Sequence, residues 1–373
     1  MPRLGLIVNP IAGLGGRVGL KGTDGPDTVA TALAAGAAPE AAAKGLRALR
    51  RFVGSTSGLV VATVPGAMGG ALIPQGLPIE WVHVDIGEVT AARDTLRAAA
   101  EMVEAGVDLL LFVGGDGTAR DILDVVGSSI VALGVPAGVK IQSAVFGATP
   151  EAAGDLAGRF LADPGRTRVV EAEVLDIDED EFRRDRVSSR LHGYLLVPVE
   201  RRLLQGGKSG SDPSDAGDIR AIAAEVASSM QAGATYVFGP GSTTSAVFDL
   251  LGLPKTLLGV DVVRDGEVVA ADASENDLLR WKARGPLTIV VSLIGGQGFV
   301  LGRGNQQISP PVLRSLTRSS LWILATPRKL AALGGRDLLV DTGDVGLDAS
   351  LEGYVQVIVG VGRRAICHLG RPA

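Results

Sequence analysis

The 373-residue chain has a single cysteine, Cys367, which excludes an intramolecular disulfide and any thiolate cluster for zinc or iron–sulfur. A reducing, cytoplasmic setting is the expectation. Its three histidines, His83, His192 and His368, stand in strand-like runs with no carboxylate or second histidine at ligand spacing, and are read as structural. No G-x-S-x-G occurs, so a serine hydrolase would lack its nucleophile elbow. Aromatic residues make up only 4% and the formal net charge is −5, with no basic run longer than a few residues. Stacking platforms and a cationic track for nucleic acid are thus both missing, and nucleic acid is excluded as a partner.

A long apolar run is missing as well. The chain starts Met1-Pro2-Arg3 and goes straight into a strand-like segment, without the apolar core and small-residue cleavage pattern of a signal peptide. Residues 52–79 carry no charge, but Pro65, Pro74 and Pro78 together with six glycines cut them into pieces too short to span a bilayer. No membrane partner is expected. What the chain does have is 46% hydrophobic residues and 52 glycines, enough for two cores with tight turns and close helix–sheet packing.

The most informative stretch is residues 107–123, VDLLLFVGGDGTARDIL. Leu109 to Val113 has strand length, and Thr118 with Asp121 three residues later predicts a helix N-cap with a partial capping box. Gly114, Gly115 and Gly117 lie between. Glycines let the backbone approach a ligand closely, and a helix N-terminus offers N–H groups to an anion. Asp116 makes little sense there as structure alone, since a carboxylate repels phosphate. It fits if it binds the cation that travels with a nucleotide or takes a proton from an attacking hydroxyl.

Around this stretch, strand-like and helical segments alternate: strands at 5–8, 59–64, 81–84, 109–113 and 130–135, helices over 28–52, 90–105 and after Thr149-Pro150. That alternation predicts an open, mainly parallel sheet whose ligands bind beyond the carboxyl ends of the strands, where Asn9 and the glycine loop fall. The texture changes near Asp163-Pro164-Gly165, and strands are expected at 168–178 and 193–199. Residues 205–217 read as a loop; their GGKS is no P-loop, because Arg202 stands where the pattern needs glycine. A helix over 219–230, a strand at 236–238 and a helix over 243–251 flank GPGSTT. There Gly239 and Gly241 free the turn, and Ser242, Thr243 and Thr244 either cap the helix or offer hydroxyls to a phosphate or ribose. A hairpin is predicted around Asp265-Gly266, and strands at 287–294, 321–326, 338–340 and 354–361. Gly360 and Gly362 mimic a dinucleotide fingerprint too near the C-terminus to be one. Asp341 to Asp344 reads as a solvated acidic turn rather than a metal site.

The string GGDGT, the opening LGLIVNPIAGLGGRVGLKGTDG, the later GVPAGVKIQSAVFGATP, and GPGSTT and IGGQGFVLGRGNQQISP together resemble the polyphosphate/ATP-NAD kinase-like family, over roughly residues 4–362. Diacylglycerol-type lipid kinases share the GGDGT signature, and the branch most similar here also includes an acetoin-catabolism protein. The resemblance implies an α/β protein of two domains. Residues 1–165 would form an open, mainly parallel α/β sheet with the NP and GGDGT motifs, and residues 166–373 a mixed, β-rich domain with GPGSTT and GRGNQQ.

It also implies an ATP-dependent kinase that transfers a phosphoryl group, from ATP or polyphosphate, to the ribose 2′-OH of NAD in an interdomain cleft. Gly114, Gly115, Gly117 and Thr118 would cradle phosphate, and Asp116 would hold Mg²⁺ or another divalent cation, or accept the hydroxyl proton. Gly239, Gly241, Ser242, Thr243 and Thr244 would face them, while Asn9 with Lys21 or Asp24 would line the crevice. Gly296, Gln297, Arg303 and Asn305 would meet the nucleotide, Arg303 as a phosphate ligand with few neighbours to pack against. Family members commonly self-associate. The Asn-Glu dipeptide of well-characterised NAD kinases does not occur; Glu275-Asn276 is its reverse, lies after GPGSTT and receives no role. The acceptor therefore stays open between NAD, a lipid and another metabolite, as does a nucleotide-binding protein without catalysis.

Overall fold

The computed structural model describes all residues except 19–25, 35, 55, 87–89, 139–140, 178–188, 201–214, 257, 295–296, 315 and 372–373. The first half is built on β1 (Arg3–Val8), β2 (Val60–Thr63), β3 (Ile79–Trp81), β4 (Leu109–Gly114) and β5 (Val131–Pro136), ordered β3-β2-β1-β4-β5. Every neighbouring pair is parallel. β4 shows why its sequence is apolar throughout rather than alternating: it is central, packed on both faces, and all six of its residues are buried. The helix expected over 28–52 is two, α1 (Pro26–Ala34) and α2 (Ala41–Leu49), separated by a turn in which Gly36 takes φ +83°. The third strand also comes earlier than predicted, at 79–81. α3 (Ala92–Glu104), α4 (Asp116–Val126) and α5 (Pro150–Ala162) complete the crossovers, α3 packing on α4 and α5 on α2.

α5 starts as predicted, with Thr149 accepting from the Ala152 N–H at 3.0 Å and Pro150 in the first turn. α4 does not. Gly115 takes the N-cap position and Thr118 lies inside the first turn, because the tight exit from β4 brings the helix start three residues nearer the strand. At Gly134 on β5 a Cβ would come within 2.3 Å of the Phe146 ring, and the missing side chain lets Phe146 and Phe112 meet edge-on at 5.4 Å. This contact anchors the segment 141–148, on which the site depends.

Beyond α5, β6 (Arg168–Ile177) and β7 (Ser189–Val199) form an antiparallel hairpin. Ala172, Val174, Leu195 and Val197 of this hairpin are buried in the same core as β1–β5, so the chain past residue 165 still packs on the first half. The second half is a nine-stranded mixed sheet ordered β10-β9-β8-β11-β13-β15-β16-β14-β12. Its strands are β8 (Thr235–Phe238), β9 (Asp261–Arg264), β10 (Glu267–Ala270), β11 (Leu287–Ser292), β12 (Phe299–Leu301), β13 (Leu321–Leu324), β14 (Leu338–Val340), β15 (Gly353–Gly360) and β16 (Arg363–Gly370). α6 (Ala216–Ser229) and α7 (Ser242–Leu251) bury Ile222, Val226, Val247 and Phe248 on one face, and α8 (Glu275–Arg284) buries Leu278 with the core of the other.

The predicted hairpin is present, with Asp265 at φ +52° and Gly266 at φ +78°, the two positive angles that a two-residue turn between right-twisted strands requires. β12, which is short, was not foreseen, and β16 was foreseen only as the strand-like run around His368. Gly362, at φ +61°, simply turns β15 into β16, which confirms its reading as a structural glycine.

Gly154 on α5 tests how closely the two helices approach. A Cβ there would lie 2.1 Å from the Ala48 carbonyl oxygen of α2, a backbone atom that cannot rotate away. Gly154→Ala is expected to destabilise by about 1–3 kcal/mol in urea unfolding despite alanine's better helix propensity. Gly217→Ala on α6, where a Cβ meets nothing within 4 Å, should be neutral or stabilising; equal midpoints for the two variants would refute the close crossing.

Candidate functional site

Three loops meet at the carboxyl edge of the first sheet. Asn9 follows β1, donates from Nδ2 to Thr118 Oγ1 at 3.0 Å and from its backbone to the Val113 carbonyl at 2.9 Å. Gly114 follows β4 and its carbonyl accepts from the N–H groups of Ala137 and Gly138, at 2.8 and 3.1 Å, which follow β5. Side chains are excluded at this junction. Gly13, at φ +79°, would put a Cβ 2.2 Å from the Ala137 carbonyl oxygen, and a Cβ on Gly115 would touch the Gly138 Cα at 3.1 Å. Bare backbone therefore lines the start of α4, where Gly115 has no side chain with which to cap the first turn.

Asp116 is buried and has a structural use that the sequence did not reveal. Its Oδ2 accepts from the Gln142 N–H at 2.8 Å and its Oδ1 from the Ser143 N–H at 3.0 Å. The carboxylate thus holds the segment 141–148 against the glycine loop, and Ser143 ties that segment onward to Leu175 of the β6–β7 hairpin at 2.9 Å.

The second half docks on the same segment. Gln297 donates from Nε2 to the Ile141 carbonyl at 3.1 Å, and Arg303 donates to the Ala148 carbonyl. Arg303 is not the loosely packed side chain expected from its glycine neighbours. It is buried and lies over the Phe299 ring at 4.4 Å. Burial pulls its guanidinium down to about 10, with Asp341 opposing and Arg47 adding to the shift, so it stays charged at neutral pH. Asn305 works within its own loop, donating to the Val300 carbonyl and accepting from the Gly302 N–H, both at 2.9 Å.

Arg303 faces a small cavity of about 30 Å³ between the halves, whose lining also includes Arg17, Lys44, Arg47, Gly138 and Gln306. The acidic turn closes it: Asp341 Oδ1 is 3.4 Å from Arg47, which also makes a two-pronged bond to Glu151 at 2.6 and 3.0 Å. Burial depresses the Arg47 guanidinium, but the Glu151 bond and the Asp341 charge outweigh it and hold it above its ordinary value. Asp344 instead caps a short helix through the Leu347 N–H at 3.0 Å. Among the described residues there is no cluster of three or more acids, histidines or cysteines that could hold a metal by itself.

GPGSTT sits elsewhere, at the carboxyl edge of the second sheet. Gly241 at φ +127° is the N-cap of α7, so the predicted hydroxyl capping does not occur. The Thr244 hydroxyl turns back to the Gly239 and Gly241 carbonyls at 2.9 and 2.7 Å, and Lys329 reaches Thr243 Oγ1 at 3.5 Å. Lys21, Asp24 and Gly296 lie outside the described residues. Arg17, Lys44 and Arg47 were missed; the signal was available in AAAKGLRALR, which places Lys44 and Arg47 on one face of α2 at i, i+3 spacing.

Residues 4–164 match the family model of the ATP-NAD kinase N-terminal domain, and residues 232–369 that of the ATP-NAD kinase C-terminal domain. The chain belongs to the NAD kinase family. Its two domains are those of a kinase, a transferase of phosphoryl groups in NADP biosynthesis. Comparison with curated proteins and with solved structures returns no match. No helix among the described residues is long and apolar enough to cross a membrane.

Arg303→Ala removes the stack on Phe299 and the bond to Ala148 together. The expected loss is on the order of 2 kcal/mol in urea unfolding, beyond any change in ligand affinity. An unchanged midpoint would show that Arg303 does not join the two halves.

Proposed function

We propose that this member of the NAD kinase family transfers the terminal phosphoryl group of ATP to the 2′-OH of the adenosine ribose of NAD, forming NADP. The observation that carries the reading is the convergence at the carboxyl edge of the first sheet. The uncapped first turn of α4 begins beside Gly138, whose backbone lines a cavity in which Arg17, Lys44, Arg47 and Arg303 from both halves outnumber Glu40 and Asp341. Backbone N–H groups and guanidinium groups held by neighbours form a preorganised environment for a phosphoryl group, whose charge spreads over its oxygens during transfer.

In this reading Asp116 is the catalytic residue. Two backbone N–H bonds fix its orientation, and the carboxylate accepts the proton of the attacking hydroxyl. A single carboxylate suits Mg²⁺, which binds through one or two carboxylates and the phosphates it arrives with, so Asp116 would hold the ion and the ion would neutralise phosphate charge. Asn9 and Thr118 position the loop around Asp116. Arg303 joins the two halves beside the cavity through its bond to the Ala148 carbonyl.

The decisive test is incubation with NAD, ATP and Mg²⁺ and enzymatic detection of NADP, with polyphosphate as a second donor. NADP formation is expected; nucleotide binding without NADP would favour a different acceptor or a binding protein without catalysis.

Asp116→Asn gives a second test. The amide keeps one acceptor oxygen but presents an N–H₂ group to the other backbone N–H, so a loss of about 1–3 kcal/mol in stability is expected. Turnover should fall by ~10²-fold or more at a temperature where the variant is still folded. Turnover equal to wild type in the folded variant would leave Asp116 as the fastener of Gln142 and Ser143 and nothing more.

A further inference from the structure

A second and much larger space opens beside the Arg303 cavity. It is a cleft of about 990 Å³ lined on one side by Gly36, Ala37, Ala38 and Glu40 of the α1–α2 link, and on the other by Asn276, Leu279, Arg280 and Ala283 of α8. The two spaces share Arg17 and Glu40, which pair at 3.1 Å where one passes into the other. The cleft has a fixed frame. Glu275 at its edge donates its backbone N–H to the Arg17 carbonyl at 3.1 Å and accepts from Ser309, so α8 is joined to the first half at this point.

The chemistry changes along the length of this space. The inner end has Lys44, Arg47 and Arg303 beside Arg17, and although Glu40 pairs with Lys44 at 3.1 Å and Asp341 with Arg47 at 3.4 Å, cations outnumber carboxylates in the lining and favour an anionic group. The outer end is a slot between small residues, Gly36, Ala37, Ala38 and Ala283, with Leu279 as its apolar side and the Asn276 amide at its rim. Asn276, Leu279, Arg280 and Ala283 fall at i, i+3, i+4 and i+7, so one stripe of α8 faces the cleft while Leu278 is buried in the second core. Small residues on facing walls leave room for a flat ring. An amide can read both a donor and an acceptor on that ring's edge.

Cations inside and an apolar slot with an amide outside follow the order of groups along a nucleotide. We infer that the slot between Gly36–Ala38 and the Asn276/Leu279/Ala283 stripe of α8 is the nucleoside subsite of this protein, holding a purine ring whose phosphates reach inward past Arg17. The inference rests on the phosphoryl-transfer reading above for the direction in which the phosphates point. Interdomain clefts of this volume are where nucleotide-sized ligands lose most of their exposed surface. NAD and ATP both present a purine nucleoside with phosphates, and the slot accepts that shared chemistry.

The test is calorimetric titration of NAD and of ATP, separately, into wild type, Ala283→Trp, Asn276→Ala and Leu250→Trp. Ala283 and Asn276 are exposed, so both variants should fold, and Leu250 is an exposed position on α7 that serves as a control. Ala283→Trp fills the slot and should weaken one of the two nucleotides by ten-fold or more while leaving the other within two-fold, which identifies the occupant. Asn276→Ala should weaken the same nucleotide by roughly three- to ten-fold, and Leu250→Trp neither. Affinities unchanged in both cleft variants, or no binding of either nucleotide to wild type, overturn the subsite. NADP formation by wild type with an unchanged KM for NAD and for ATP in the variants removes the subsite and keeps the proposed function; weakened binding in the variants without NADP formation by wild type does the reverse.

Discussion

The segment 141–148 must have its backbone groups satisfied while it runs largely buried between two domains, and the rest of the site follows from how this is done. Its N–H groups at Gln142 and Ser143 are taken by the Asp116 carboxylate. Its carbonyls at Ile141 and Ala148 are taken by Gln297 and Arg303 from the second half. Phe146 packs on Phe112 and fixes the segment to the sheet. An unpaired buried polar group costs about 1–3 kcal/mol, so each of these partners is under strong constraint as to residue type.

That arrangement couples stability and chemistry in the same residues. Asp116 is both the residue proposed to act on the acceptor hydroxyl and the residue that secures the neighbouring loop. Arg303 is a cation beside the cavity and also a stacking and bonding partner between halves. Burial of Arg303 is unfavourable for its charge, and Asp341 offsets part of that cost. A phosphate arriving at the cavity would offset more. Ligand binding and the docking of the two halves would then stabilise each other, since both draw on the same guanidinium groups.

Much of the site was legible before the fold was known. The glycines of GGDGT and the apolar run before them locate a strand, a turn and a helix start, and the turn is tight enough that a Cβ at Gly114 would come within 2.4 Å of Thr118 Oγ1. The acidic turn at Asp341 was read as solvated, yet Asp341 faces Arg47 across nearly three hundred residues of chain, a pairing that no local pattern encodes. Capping at Thr118 and at Ser242 to Thr244 was misplaced by local rules, since a glycine before each helix took the N-cap position and freed the hydroxyls for other bonds.

By itself the sequence determined the class of the first sheet, the loops at its carboxyl edge and the family, since these rest on short-range order: apolar runs, glycine spacing and motif strings. Only the tertiary structure decided that Asp116 grips Gln142 and Ser143, that Arg303 is buried against Phe299, and that Arg17, Lys44 and Arg47 line the same cavity as Arg303. Those facts depend on where the second half docks. Docking is set by backbone carbonyls and side-chain shapes that meet across the interface, and a linear pattern does not contain them.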